Sequence, residues 1–347
     1  MGIPYDITFH PKWWHKNAGV SFDKEFFFDN DYRIEADIRM RRILYEKFGE
    51  FSVGEKDPKP RPILGSDLIA SGFLYSEILG CEVRYSKDNP PEVICASLSD
   101  EEVENLEYVD LKKDPLWQKV EKSIEDLLVK FGFVDACINL MGIQNIALDL
   151  RGQELYIDYY TNPELARKLL DVCTHLSIDI GKRLYEVSDT ISAGVTGIVR
   201  KAVPDIYLTS NCSVDMVSLE SYKEFLLPCD KALAKSFPEF GIHHCGKSME
   251  HVVEGYREVP ELKFAEVGAF SDKKRVREVL PDVFLNLRYS PVRLKNATFE
   301  ELKYDIEKMV RDGYVKGLVS VSCVGIDDDV PDEKVRKFLQ VVSGISI

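Results

Sequence analysis

A histidine and a cysteine that are two residues apart form the most informative chemical pattern in this chain. The segment GIHHCGK (241–247) is typical of a strand that ends in a turn. Alternate side chains of a strand point to opposite faces, so His243 and Cys245 share one face and His244 lies on the other. Gly246 lets the chain turn directly afterwards. The pair is therefore predicted at the carboxyl end of its strand, where barrel enzymes build their sites.

A second cysteine is predicted at the end of another strand. Cys323 closes the run GLVSVSC (317–323), and Glu266 lies near the end of the run LKFAEV (262–267). One imidazole and two thiolates that meet at one rim suit Zn²⁺ with its fourth position open, and Glu266 is within reach of that rim. The alternative from spacing alone is a histidine bonded to a backbone carbonyl beside two inert buried thiols.

The elements that must position these residues follow a βα repeat from about residue 115 onward. The predicted helices are 115–132, one from Pro163 to about Tyr185, 222–237, 248–259, 271–280, one opened by the capping box Thr298–Glu301, and one begun at Pro331. The predicted strands are 134–140, 241–246, 262–267, 282–288 and 317–323. Parallel strands with right-handed crossovers and no linker favour an α/β fold, a closed (β/α)8 TIM barrel with an irregular N-terminal cap. A doubly wound open sheet is the alternative.

The first third of the chain departs from this repeat. It contains one clear helix, about 34–48, and a loop rich in Pro, Asp and Lys, 54–62. We therefore predict a single barrel domain over 1–347, in which 1–114 supply the cap and the first barrel elements.

Composition narrows the classes of function. The chain has 347 residues with 45 Lys and Arg against 59 Asp and Glu, a net charge of −14. An acidic chain without a basic run disfavours nucleic acid and anionic membrane surfaces as partners. The absence of a secretory-signal pattern predicts a cytoplasmic protein with reduced thiols, and a homo-oligomer is compatible with the sequence. Six of the eight cysteines, Cys212 among them, are predicted to pack as small hydrophobic residues.

The segment from His243 to Lys247 resembles the His-x-Cys-Gly-Lys motif of the zinc-dependent, corrinoid-linked methyltransferases in the uroporphyrinogen decarboxylase superfamily. The family also has a single cysteine near its C-terminus, which resembles the cysteine before Val324-Gly325 here. The segment SLESYKEFLLP (218–228) is similar to a helix start of the family, with Leu219 in place of a proline. The resemblance covers roughly 130–345. It implies a barrel, a partner protein that carries a corrinoid (cobalamin), and a zinc ion. The implied ligands are His243, Cys245 and Cys323, with Glu266 able to fill the empty position.

One departure from the family concerns the substrate. True uroporphyrinogen decarboxylases grip substrate carboxylates with an Arg-Gln-Ala-Gly-Arg motif, and the nearest segment here, 15–20, lacks both arginines. A tetrapyrrole with eight carboxylates needs concentrated positive charge, so decarboxylation is disfavoured.

Polar and aromatic side chains near the predicted rim are candidates for substrate binding. Trp14 and His15 in the leader would line an aromatic pocket over the metal, with ordinary core packing as the alternative. Asn145, Asn211 and Arg288 follow or end predicted strands, and each has a loop-bracing role as its alternative.

Together these features predict a zinc-dependent methyltransferase with His243, Cys245 and Cys323 as catalytic residues. It would move a methyl group from a small methylated substrate, by expectation a methoxylated aromatic one, to a corrinoid protein, as the O-demethylase component. The alternatives are a methylcorrinoid:thiol methyltransferase, a uroporphyrinogen decarboxylase and a non-catalytic metal-binding barrel.

Overall fold

The computed structural model describes residues 2–188, 191, 197–204 and 206–345. Its strands are β1 (Tyr5–Phe9), β2 (Ile63–Gly65), β3 (Glu82–Arg84), β4 (Glu92–Ile94), β5 (Asp135–Cys137), β6 (Ile206–Ser210), β7 (Glu239–His244), β8 (Leu262–Val267), β9 (Phe284–Tyr289) and β10 (Val319–Ile326). All except the antiparallel pair β3–β4 run parallel to their neighbours.

The parallel strands curl into a barrel. Six of them form one sheet in the order β1-β10-β9-β8-β7-β6, and β2 pairs with β5. A parallel bridge between Met141 and Ser210 joins the segment after β5 to β6. Among the described residues no ladder joins β1 to β2, so the barrel is open on that side. The eight parallel strands confirm the predicted (β/α)8 architecture, whereas the predicted closure between β1 and β2 is not formed in the described residues.

Helices surround this sheet. They are α1 (Pro11–Ala18), α2 (Lys24–Phe28), α3 (Asn30–Phe48), α4 (Leu74–Ile78), α5 (Asp100–Glu104), α6 (Pro115–Phe131), α7 (Ile143–Arg151), α8 (Glu154–Thr161), α9 (Pro163–Val187), α10 (Ile198–Ala202), α11 (Leu219–Ser221), α12 (Leu227–Ser236), α13 (Val253–Tyr256), α14 (Lys273–Val279), α15 (Pro291–Asn296), α16 (Phe299–Gly313) and α17 (Asp332–Ser343). A π-helical segment, Tyr222–Leu226, leads into α12. No helix in the part of the chain that the structure describes is long and apolar enough to cross a membrane.

Several predicted elements are confirmed and others are wrong in extent. The strand 262–267 is β8, and Thr298 forms the predicted capping box at the start of α16. The helix predicted over 248–259 shrinks to the four residues of α13. The strand predicted over 317–323 continues to Ile326, so Cys323 lies three residues before the end of β10 instead of closing it.

The amino-terminal end of the barrel is plugged by apolar packing. Ile198 and Val199 of α10 form a separate buried cluster with Leu208, Phe264 and Phe284 from β6, β8 and β9. These strand residues precede the polar residues of the same strands. Access to the polar interior is therefore from the carboxyl ends of the strands.

Residues 1–114 contribute strands to the barrel itself. β1 pairs with β10, and β2 pairs with β5, so residues 1–114 supply two of the eight parallel strands.

Candidate metal centre

A row of polar side chains crosses the barrel interior on five neighbouring strands. Ser210, His243, Glu266, Asn286 and Ser320 are successive lateral partners from β6 to β10. Ser320 Oγ donates to Asn286 Oδ1 (3.1 Å), and Asn286 Nδ2 donates to Glu266 Oε1 (3.1 Å). Glu266 Oε2 in turn is hydrogen-bonded to His243 Nδ1. This chain of hydrogen bonds ends at the imidazole of His243 and fixes the orientation of its ring.

His243 presents its other nitrogen toward the mouth. Because Nδ1 is engaged by Glu266, Nε2 is the nitrogen that remains for a metal ion. Burial by itself lowers the pKa of His243, but the charges of Cys245 and Glu266 outweigh it and raise that pKa to about 9. Burial raises the pKa of Glu266, while the charge of His243 and its hydrogen bond lower it more, so this carboxylate is ionised. Metal binding at Nε2 must therefore displace a proton.

Two thiols lie directly above this imidazole. Cys245 follows β7 and Cys212 follows β6, and their Sγ atoms are 2.9 Å apart. The hydrogen bond with Cys212 lowers the pKa of Cys245, burial opposes this, and the charge of His243 lowers it further. The same hydrogen bond and burial raise the pKa of Cys212. The opposed shifts favour the thiolate form at Cys245 over Cys212.

Donor atoms of these three residues form a compact set. One ligand atom each from Cys212, His243 and Cys245 lie within 4.8 Å of one another, the one such group of three or more within the described ranges. Cys245 is exposed and Cys212 partly so, which leaves the group open to solvent. A soft nitrogen and sulfur donor set with an open side fits Zn²⁺.

Two glycines allow the loop after β7 to sit close to its neighbours. A Cβ on Gly268, which follows β8, would lie 2.4 Å from the carbonyl oxygen of Gly246. A Cβ on Gly246 would lie 2.6 Å from Cβ of Asp215. Both contacts are closer than real Cβ atoms make, so glycine is needed at these positions to hold Cys245 beside Cys212.

Arg288 brings a guanidinium to the site. It lies on β9, two residues beyond Asn286, and its Nη1 is 3.3 Å from His243 Nε2 and 3.9 Å from Glu266 Oε2. Its lateral partner Ser322 has a buried hydroxyl that finds no hydrogen-bond partner among the residues that the structure describes. Arg288 lies one residue before the end of β9, and its role in substrate binding stays a prediction.

Glu266 has a different partner from the expected one. The sequence predicted it as an occasional metal ligand, whereas in the structure its two oxygens engage His243 and Asn286. A carboxylate in this position fixes the ring orientation and tautomer of a ligating histidine.

Cys323 does not belong to the three-donor group. On β10 the side chain of Ser320 points into the barrel, so by strand alternation Cys323 lies on the opposite face. It pairs laterally with Tyr289, whose hydroxyl reaches Asp305 on α16 and whose ring stacks on Phe338 of α17. Cys323 therefore faces the surrounding helices.

The two asparagines differ in their surroundings. Asn145 Nδ2 donates to the carbonyl oxygen of Ser210 (2.7 Å), and its Oδ1 accepts from the backbone N–H of Ser213 (3.0 Å). It therefore braces the loop that carries Cys212. Asn211 is buried, and its Nδ2 donates to Asp230 on α12 (2.9 Å), on the helix side of β6.

Asp230 provides a test of this buried polar contact. Its Oδ2 accepts from both Asn211 and Tyr222, and burial raises its pKa to about 7. A carboxyl group with a raised folded-state pKa stabilises the fold most below its unfolded pKa of about 4 and loses that contribution as the pH rises to about 7. Asp230→Asn, whose amide oxygen can accept both bonds, removes this loss, which is of the order of 4 kcal/mol. Urea unfolding at pH 4 and pH 7.5 checks the prediction; equal pH dependence in both proteins would contradict it.

The aromatic leader residues lie in the core. Trp14 on α1 is fully buried against Phe9 and Trp13, and its Nε1 donates to the carbonyl oxygen of Leu68 (3.3 Å). His15 is exposed, with Nδ1 hydrogen-bonded to the carbonyl oxygen of Val20 (3.0 Å). Core packing, the alternative for these aromatics, accounts for Trp14. Substrate contacts by Trp14 and His15 stay predictions without a contact that supports them.

The sequence predicted Cys212 as a packing residue, whereas the structure places its sulfur beside that of Cys245. The sequence carried a signal, because Cys212 directly follows Asn211 and so lies close to the predicted rim. Without the lateral register of β6 and β7, nothing distinguished a ligand from a bystander at this position.

The fold and the site define a class of protein, a parallel α/β barrel with imidazole and thiol donors at the carboxyl ends of its strands. The family model described as Uroporphyrinogen decarboxylase (URO-D) matches residues 68–345. The chain therefore belongs to the uroporphyrinogen decarboxylase family, as the His-x-Cys-Gly-Lys resemblance predicted. Among proteins of curated function, none matches this chain in sequence.

Solved structures show the same fold at low sequence identity. A methyltransferase from Methanosarcina mazei is 16% identical, with a TM-score of 0.65 over 98% of this chain and 93% of that one. A B12-independent methionine synthase from Shewanella sp. W3-18-1, solved with selenomethionine, is 11% identical, with a TM-score of 0.52 over 99% of this chain and 96% of that one.

Proposed function

We propose that this protein is a zinc-dependent methyltransferase that moves a methyl group from a small methylated substrate to a corrinoid carried by a partner protein. The observation that carries the proposal is the open donor group at the barrel mouth, with His243 oriented by Glu266 and the sulfur of Cys245 beside that of Cys212. The fold shared with two methyl-transfer enzymes supports the reaction class. We take a methoxylated aromatic compound as the first substrate to test.

The residues fit the group that this chemistry requires. A Zn²⁺ ion held by His243, Cys245 and a further thiolate supplies Lewis acidity to the heteroatom from which the methyl group leaves. In the net reaction the carbon–oxygen bond of a methyl ether breaks, and the oxygen keeps the bonding pair. The methyl carbon bonds to cobalt(I) of the corrinoid, which supplies both electrons and becomes methylcobalt(III).

The chain's own residues would support the developing negative charge. Arg288 projects a guanidinium beside His243 Nε2, where its N–H groups can donate to an oxygen that gains charge. Glu266 keeps the imidazole in one tautomer, and Asn286 and Ser320 keep Glu266 in place.

The charge of the site argues against decarboxylation of uroporphyrinogen. The inward-facing positions next to the site are those of the row from Ser210 to Ser320 and of the next inward row, which contains Arg288 and Ser322. In these positions of the described part of β6 to β10, Arg288 is the one arginine, and there is no lysine. Eight carboxylates would need several such side chains. A single guanidinium fits a small substrate better.

The experiment uses the zinc-loaded full chain and free cob(I)alamin as the methyl acceptor, under anaerobic reducing conditions. Methoxybenzoates, methoxyphenols, a methylamine and a methyl thioether are offered in turn as donors. Methylcobalamin absorbance and the demethylated product should rise together in a 1:1 ratio for at least one donor. Lack of methylcobalamin with every donor would contradict the proposed direction of transfer.

A matched pair of cysteine variants controls this assay. Cys245→Ser should lose the activity, whereas Cys95→Ser, at an exposed cysteine outside the donor group, should keep it. Rapid demethylation of methylcobalamin by an added thiol, without any forward reaction, would favour the methylcorrinoid:thiol methyltransferase instead.

A further inference from the structure

The structure and the family resemblance point to different residues as the second thiolate ligand. Resemblance implies Cys323, whereas the donor atom that lies with those of His243 and Cys245 belongs to Cys212. Both are free thiols, so geometry must decide between them.

Cys212 is held in the site by contacts on both sides. The backbone N–H of Asn211 donates to the carbonyl oxygen of His243 (2.8 Å), which ties the end of β6 to β7 just before Cys212. On the other side Asn145 accepts from the backbone N–H of Ser213 (3.0 Å), and Gln144 Nε2 donates to the carbonyl oxygen of Ser213 (2.9 Å). The thiol therefore stands beside Cys245 without any rearrangement of the chain.

Cys323 is held away from the site by the register of β10. Ser320 and Ser322 take the inward positions of this strand. Cys323, which stands between Ser322 and Val324 in the sequence, is on the helix-facing side. The pairing of β10 with β9 is regular from Val319 to Cys323, so a one-residue slip that turned Cys323 inward would turn Ser320 and Ser322 outward. Cys323 is also fully buried.

We propose that Cys212 is the second thiolate ligand of the metal centre, together with His243 and Cys245, and that Cys323 is a packing residue. This assignment rests on the metal centre of the proposed function and adds a ligand that the family motif does not contain. On metal binding, the proton shared between Cys212 and Cys245 leaves to solvent, so both sulfurs bind as thiolates.

The test compares Cys212→Ser with Cys323→Ser in the full chain loaded with cobalt(II) in place of zinc. Thiolate-to-cobalt charge-transfer absorbance in the near ultraviolet counts the sulfur ligands without any assay of activity. We expect Cys212→Ser to lose about half of this absorbance and to bind zinc about 100-fold more weakly in competition with a chelator. Cys323→Ser should keep both at the wild-type level. Thermal unfolding of each variant verifies that it is folded.

Loss of charge-transfer absorbance in Cys323→Ser would overturn the assignment, whether or not Cys212→Ser also loses it. A wild-type chain that binds neither cobalt nor zinc would overturn the assignment and the proposed function together. A wild-type chain that binds metal through Cys212 but forms no methylcobalamin would support the assignment and overturn only the proposed function.

Discussion

Replacement of His243 by glutamine should remove the bound zinc and lower methyl transfer by about 1,000-fold, the equivalent of about 4 kcal/mol of transition-state stabilisation. The imidazole supplies the one nitrogen of the donor group, and its Nδ1 is already committed to Glu266. A glutamine amide is a poor zinc ligand and cannot accept the same orientation from that carboxylate. Zinc per chain, measured by atomic emission on purified protein, and initial rates of methylcobalamin formation check the prediction.

The adjacent histidine offers a matched control. His244 lies on the opposite face of β7, where Nδ1 contacts the Tyr256 hydroxyl (2.8 Å) and Nε2 donates to the carbonyl oxygen of Ser248 (3.1 Å). His244→Gln should therefore keep zinc and activity and lose about 1 kcal/mol of stability. Equal zinc loss in the two variants would contradict a ligand role that is specific to His243.

Replacement of Glu266 by glutamine should weaken zinc binding by about 10- to 100-fold, although this residue is not in the donor group. The carboxylate fixes the Nδ1–H tautomer of His243, and glutamine would present an N–H or a neutral oxygen there. Together with the charge of Cys245, the charge of this carboxylate also raises the pKa of His243. Competition with a chelator at fixed pH measures the change in affinity.

Glu261→Gln is the control for this prediction. Glu261 is exposed just before β8, and its carboxylate pairs with Lys263 (3.2 Å), far along the strand from the mouth. Zinc affinity should be unchanged in this variant. If Glu266→Gln also bound zinc with unchanged affinity, the row from Ser320 to His243 would have no part in the metal centre.

Strand identity was predictable from the sequence, and lateral register was not. The run LKFAEV matched β8, and alternation predicted that His243 on β7 and Cys245 directly after it share one face. Whether Glu266 binds a metal or orients His243 depends on their lateral pairing, which neither segment encodes alone.

The face on which Cys323 lies was open to prediction and was missed. In the run VSVSC the cysteine continues the valine positions 319 and 321, whereas the serines alternate with them. A polar barrel interior therefore assigns the serines inward and Cys323 outward. The position of Trp14, in contrast, could not be predicted from the sequence. Aromatic content alone cannot distinguish a buried cap from a substrate pocket.

Methyl transfer by this protein should depend on a metal ion held at the barrel mouth. The most direct measurement strips the purified protein of metal with a chelator, removes the chelator, and follows methylcobalamin formation before and after one equivalent of Zn²⁺ is added. We predict that activity falls to background in the stripped protein and returns with zinc in the wild type but not in Cys245→Ser. A metal-free protein that forms methylcobalamin at the full rate would contradict the claim.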